Sequence, residues 1–145
     1  MAGLTNTPWI ERVEAVWAHA QELHPDLPDA RIAVGSLHRS PRRWGHWLPG
    51  AHELYVAAAL EAEPAEHVVG VILHEAAHAL GEARGITTTS RQGRYHSNRF
   101  AGLAAEVGLC PSDGRPDGLG WDRLSPPALV AWTDVIEQLE EARLA

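Results

Sequence analysis

Apolar residues run almost without interruption through PAEHVVGVILHEAAHALG, residues 64–81. Val68, Val69, Val71, Ile72, Leu73, Ala76, Ala77, Ala79 and Leu80 leave almost no polar side. The pattern predicts a buried helix, with Pro64 in its first turn and Gly81 as its stop. Upstream, Thr7-Pro8 reads as a helix start, and Trp9, Val13, Val16, Trp17 and Ala20 recur at helical spacing until Pro25 ends the run. Ile32 and Val34 alternate with Arg31 and Ala33 as in a strand. A short strand at Gly45–Leu48, a turn at Pro49-Gly50 and a strand at His52–Val56 follow. Beyond the apolar helix, GITTTSRQGRY reads as a polar loop. Phe100, Leu103, Ala104 and Val107 then mark one helical face, with Gly108 as stop. PSDGRPDGLG is a surface loop, and Ser125-Pro126 opens a last amphipathic helix carrying Leu129, Trp132, Ile136 and Leu139. The order predicts one α+β domain over residues 1–145, a small antiparallel sheet packed on helices.

The centre of the apolar helix carries chemistry. His74-Glu75-Ala76-Ala77-His78 matches HExxH. Residues four apart on a helix stand one turn above each other, roughly 5–6 Å between Cβ atoms, so two imidazoles so placed can share one zinc ion. Glu75 then points beside the metal, as a general base for a metal-activated water. A chain with nine His can contain such a motif by chance, and a His on an apolar face is often a hydrogen-bonded core residue. The context opposes both readings. Two His and a Glu inside a buried helix cost several kcal/mol unless partners satisfy them, and one metal ion serves all three.

Composition narrows the class. At 145 residues the chain is long enough for a core without staples. Its single cysteine, Cys110, allows neither a disulfide framework nor a Cys-based zinc ribbon within it. No stretch approaches a membrane span, and MAGLTNTPWIERVEAVW reads as the start of a helix, not as a signal peptide. A soluble, cytoplasmic protein with no membrane partner is expected. The net charge of −7 does not steer the protein toward nucleic acid. All twelve basic residues are Arg, and two segments are rich in them: Arg31, Arg39, Arg42 and Arg43, then Arg84, Arg91, Arg94 and Arg99. They offer either a local basic face, with weak DNA binding, or ordinary solvated and ion-paired arginines. Trp9, Trp17 and Trp132 sit on apolar helical faces and read as core. Trp44 and Trp47, in the arginine-rich connection, read as packing residues or as stacking surfaces for a base or a peptide.

A catalytic zinc site needs a third protein ligand and an open fourth position. In the pattern HExxHxxGxxH, Gly81 fits the glycine, but Arg84 stands where the third His belongs. Peptide deformylase takes a Cys upstream of its HExxH, whereas Cys110 lies downstream. Glu82 shares the helix with both His and is poorly placed. Glu106, on the next helix, is one candidate. His96, at the predicted start of that helix, is the better one.

HEAAHAL followed by GRYHSNRF resembles the SprT-like (Spartan-type) zinc metalloproteases, as do the strand HELYVAAAL and the Pro-started helix. The block GITTTSRQGRYHSNRF is similar to stand-alone SprT-like proteins of high-GC bacteria and their phages, without a zinc ribbon. The likeness spans roughly residues 30–110. It implies a zincin-like fold with the HExxH helix at its core. It also implies one zinc ion on His74, His78 and His96, Glu75 as the catalytic base, and a polypeptide substrate. Tyr95, Arg94 and Arg99 are candidates for stabilising the oxyanion, and His52–Val56 is the candidate edge for an extended peptide. The competing reading is a DNA- or protein-binding module that keeps a zinc site for structure. An intact Glu75 weighs against it, since a purely structural metal needs no such carboxylate.

Overall fold

In the computed structural model, residues 3–4, 6–36, 44–90, 95–111 and 121–145 are described. Helix α1 (Trp9–Leu23) starts directly after Pro8 and ends before Pro25, burying Val13, Val16, Trp17 and Ala20. Strands β1 (Arg31–Gly35), β2 (Gly45–Leu48) and β3 (Glu53–Ala57) form one sheet in the order β1-β3-β2. A 3-10 turn at Ala58–Ala62 leads into α2 (Ala65–Ala83).

The sheet corrects one expectation. β2 and β3 pair antiparallel across the Pro49-Gly50 turn, but β1 pairs parallel with β3, from Arg31 opposite Glu53 to Gly35 opposite Ala57. The sheet is therefore mixed, not antiparallel. β3 takes the centre, with Leu54 and Val56 fully buried and β1 and β2 on either side of it. The expected edge at His52–Val56 is corrected for the same reason. β3 is paired on both sides, and among the described residues the edges belong to β1 and β2.

Thirteen of the 19 residues of α2 are buried, as its apolar sequence predicts. α1, β2, α3 and α5 all pack on it. Its first turn is closed by Glu140, whose Oε1 accepts from the Ala65 N–H at 2.6 Å and places negative charge at the positive end of the helix. Gly81 is not the stop. The helix continues to Ala83 and ends at Gly85, with φ 69°. Gly85 N–H bonds to the Glu82 carbonyl and Ile86 N–H to the Gly81 carbonyl, the paired bonds of a Schellman termination.

The polar loop after α2 contains β4 (Thr89–Ser90), antiparallel to β5 (Tyr95–His96), and α3 (Asn98–Glu106) follows. α3 buries Phe100, Leu103 and Ala104 as predicted. β6 (Leu109–Cys110) pairs with β7 (Arg123–Leu124). The single last helix expected from sequence is two, α4 (Pro126–Ala131) and α5 (Thr133–Leu144). At the break, Thr133 Oγ1 donates to the carbonyls of Leu129 and Val130, a side-chain bond that competes with a straight helix. Among the described residues no helix is long and apolar enough to cross a membrane.

Candidate metal centre

His74 and His78 stand one turn apart on α2, and β5 delivers His96 to them just before α3. Their ring centroids are 4.9–5.2 Å apart in all three pairs. One ligand nitrogen from each lies within 4.8 Å of the others, an arrangement that can hold a metal ion. Phe100, fully buried on the first turn of α3, lies 4.8, 4.4 and 4.2 Å from the rings of His74, His78 and His96. It is an apolar base on which all three imidazoles rest. The periodicity of α3 marks Phe100 as core but does not reveal this position.

The donor chemistry fits a cation. His74 Nδ1 stands 2.8 Å from the carbonyl oxygen of Trp121, which can only accept, so Nδ1 carries the proton and Nε2 keeps a lone pair. His78 Nδ1 is 2.8 Å from Thr88 Oγ1, and with the hydroxyl accepting the same tautomer follows. Oxygen partners on Nδ1 are what hold ring orientation and tautomer in imidazole metal sites.

Two glycines bring those oxygens in. A Cβ on Gly70 would stand 2.0 Å from the Asp122 carbonyl oxygen, so the chain bearing Trp121 crosses α2 where no side chain is present. A Cβ on Gly81 would meet Thr88 Cγ2 at 2.3 Å. Glycine inside a helix costs about 1 kcal/mol relative to alanine. Here the cost is offset by the close approach of both oxygen-bearing segments, one turn before His74 and one turn after His78. The sequence contains no local signal for either contact: Asp122 is far from Gly70 along the chain, and Thr88 returns to Gly81 only because the chain reverses past Gly85.

Glu75 is buried at 7% exposure. Its Oε1 accepts from the Trp47 backbone N–H at 2.8 Å, and its Oε2 stands 4.0 Å from His74 Nε2. The carboxylate therefore lies beside the three imidazoles and is held by β2. Trp47 is itself buried and stacks on Trp17 at 5.6 Å, so its indole packs, and its backbone rather than its ring reaches the site. Trp44 is half-buried against His67.

Glu106 is not brought to the imidazoles. Arg84, on the rim of α2, binds it at 2.7 Å and binds Asp26 at 2.7 Å. The guanidinium hydrogen bonds hold both carboxyls below the usual carboxylate range and raise Arg84 itself. Nearby His24 is pushed below the usual imidazole value, chiefly by burial. Glu82 faces the β2–β3 turn, where its Oε2 accepts from Gly50 N–H at 2.7 Å. Among the oxyanion candidates, Arg99 is exposed on α3, Arg94 lies outside the described residues, and Tyr95 is placed by its backbone in β5. Of the arginine-rich segments, Arg31 pairs with Glu53 at 3.2 Å, while Arg39, Arg42, Arg43 and Arg91 also lie outside the described residues. Comparison with protein-family models, curated proteins and solved structures finds no match to this chain.

Proposed function

We propose that this chain is a zinc-dependent endopeptidase of SprT-like type, with a zincin-like core built on α2. The observation that carries the reading is a three-imidazole donor set with a buried carboxylate held beside it. A structural site would need the imidazoles alone. Zinc held by His74, His78 and His96 would supply a Lewis acid and an activated water at neutral pH. Glu75 takes the proton from the attacking water through the oxygen that Trp47 leaves open, and passes it to the leaving amine. The Trp121 carbonyl and the Thr88 hydroxyl fix the ring orientation of His74 and His78, and would keep their Nε2 atoms available to the metal.

The outer edge of β2 suits an extended peptide. Ala57 N–H donates to the Trp44 carbonyl, and the antiparallel register from that pair turns the backbone groups of Gly45 and Trp47 away from β3, toward α2. Trp47 N–H engages Glu75 on that side, so an added strand would pair with the other outward groups, the Gly45 N–H and the Gly45 and Trp47 carbonyls. A substrate strand added there lies alongside the carboxylate and the metal.

Metal analysis of the purified protein, joined to a casein or histone cleavage assay with and without DNA, tests the proposal. About one zinc per chain and cleavage lost on chelation are expected. Zinc retained with no cleavage under either condition would leave a binding module with a structural metal.

A further inference from the structure

His67, His74 and His78 share one line along α2: at 100° per residue, His67 and His78 stand only about 20° and 40° around the axis from His74. β2 walls one side of that line. A Cβ on Gly45 would lie 3.1 Å from Val71 Cγ1 and 3.5 Å from Glu75 Cγ, and Gly50 N–H reaches Glu82. These contacts advance from Val71 to Glu82 as the chain advances from Gly45 to Gly50, so β2 and α2 run in the same direction. The chain at Trp121–Asp122, crossing at Gly70, walls the other side.

Antiparallel pairing is slightly the more stable per residue, so a peptide added to the edge of β2 runs against both β2 and α2. Its segment beyond the scissile bond then passes over the N-terminal half of α2, toward His67. The seven residues from His74 back to His67 span about 10.5 Å of helix. At about 3.3 Å per residue that is three residues of extended peptide, and alternation turns the first and third of them to the same face.

At that end, His67 Nδ1 bonds to Glu63 Oε1 at 2.9 Å and the Trp44 ring meets the His67 ring edge-on at 5.3 Å. The Glu63 carboxylate only accepts, so the neutral His67 ring carries its proton on Nδ1 and a lone pair on Nε2. Both side chains are partly exposed, at 28% and 34%. Carboxylate, imidazole nitrogen and indole all attract a cation. Among the described residues a guanidinium near Glu63, that of Arg143, is already bound to Glu140 at 2.8 Å. We infer that Glu63, His67 and Trp44 form a subsite for a Lys or Arg side chain three residues beyond the scissile bond. The inference rests on the endopeptidase reading above.

The test is cleavage of a mixed peptide library by the zinc-loaded protein, with cut sites mapped by mass spectrometry. kcat/KM is then measured for peptides that differ only at the third residue after the cut. Lys and Arg should exceed Glu there by about fivefold, the worth of a partly exposed ion pair. Glu63→Gln should shrink the ratio to about twofold or less, and Glu63→Lys should invert it. Cleavage indifferent to that residue, or a basic preference placed before the cut, would overturn the subsite and leave the endopeptidase standing. A zinc-loaded protein that cuts nothing would overturn both.

Discussion

The backbone of Asp122 passes so close to Gly70 that a Cβ there would lie 2.0 Å from its carbonyl oxygen. Because backbone cannot yield as a flexible side chain does, Gly70→Ala should lift the Trp121–Asp122 segment and remove the acceptor from His74 Nδ1. Metal affinity, measured by chelator competition, should fall about 10- to 100-fold. Thermal unfolding should show a loss of about 1–3 kcal/mol. An alanine variant with unchanged affinity would mean that the Trp121 carbonyl does not orient His74.

His96→Ala should lower the metal content sharply, whereas Glu106→Ala should leave it intact. Glu106 spends its carboxylate on Arg84 at the surface, so its removal should cost no more than about 1 kcal/mol. Metal content of the two purified variants decides the matter, and the opposite pattern would discard the ligand set.

Glu75→Gln should retain zinc and fold while abolishing hydrolysis. The amide oxygen can still accept from Trp47 N–H, but the side chain cannot take a proton from water. Turnover equal to the parent protein would show that another group is the base.

Around Arg84 the stability should depend on pH with a definite sign. Asp26 and Glu106 are held below the usual carboxylate range by Arg84, so their contribution is present above the ordinary value near 4 and is lost as pH falls through their depressed folded values. His24, lowered chiefly by burial, adds in the same direction as pH falls below about 6.5. Asp26 and Glu106 are at the surface and His24 is only half-buried, so the summed effect should be about 1 kcal/mol. Denaturant melts at pH 7 and pH 3 should therefore show the parent losing more stability than Arg84→Ala. Equal losses would contradict this account.

Any affinity for DNA should be weak. Two arginines from the basic segments are already committed, Arg31 to Glu53 and Arg84 to Asp26 and Glu106. The remaining arginines of those segments would engage no more than about three or four phosphates, each contributing close to one unit of salt slope. Binding should be measurable at low salt and mostly lost near physiological salt, where screening acts beyond about 8 Å. Arg42 and Arg43 are the substitutions expected to weaken it. Tight binding at physiological salt, or proteolysis that strictly requires DNA, would point to a role on DNA.

Local pattern made much of this legible in the sequence. The apolar run gave α2 because a helix buried all round needs no polar face, and Gly45–Leu48 could be placed because turn residues bound it on both sides. HExxH spacing identified the α2 histidines, and a His opening the next helix was weighed above Glu106. Strand order was not legible, since alternation fixes which face of a strand is buried and says nothing of which neighbour it pairs with. Thr88 and Trp121 were missed because what they do depends on chain crossings over Gly70 and Gly81. The hairpin β4–β5 was hidden in a polar loop of threonines and arginine, where no hydrophobic alternation marks a strand.

The near-parallel stack of Trp17 on Trp47 gives the protein an optical reporter. Two indoles at 5.6 Å and 10° are close enough for their ultraviolet transitions to mix, which should appear as a paired circular-dichroism signal. One of them belongs to the strand whose backbone holds Glu75. A ligand that shifts that strand enough to turn one indole against the other should change the paired signal, which would follow binding by light, without a label and without turnover.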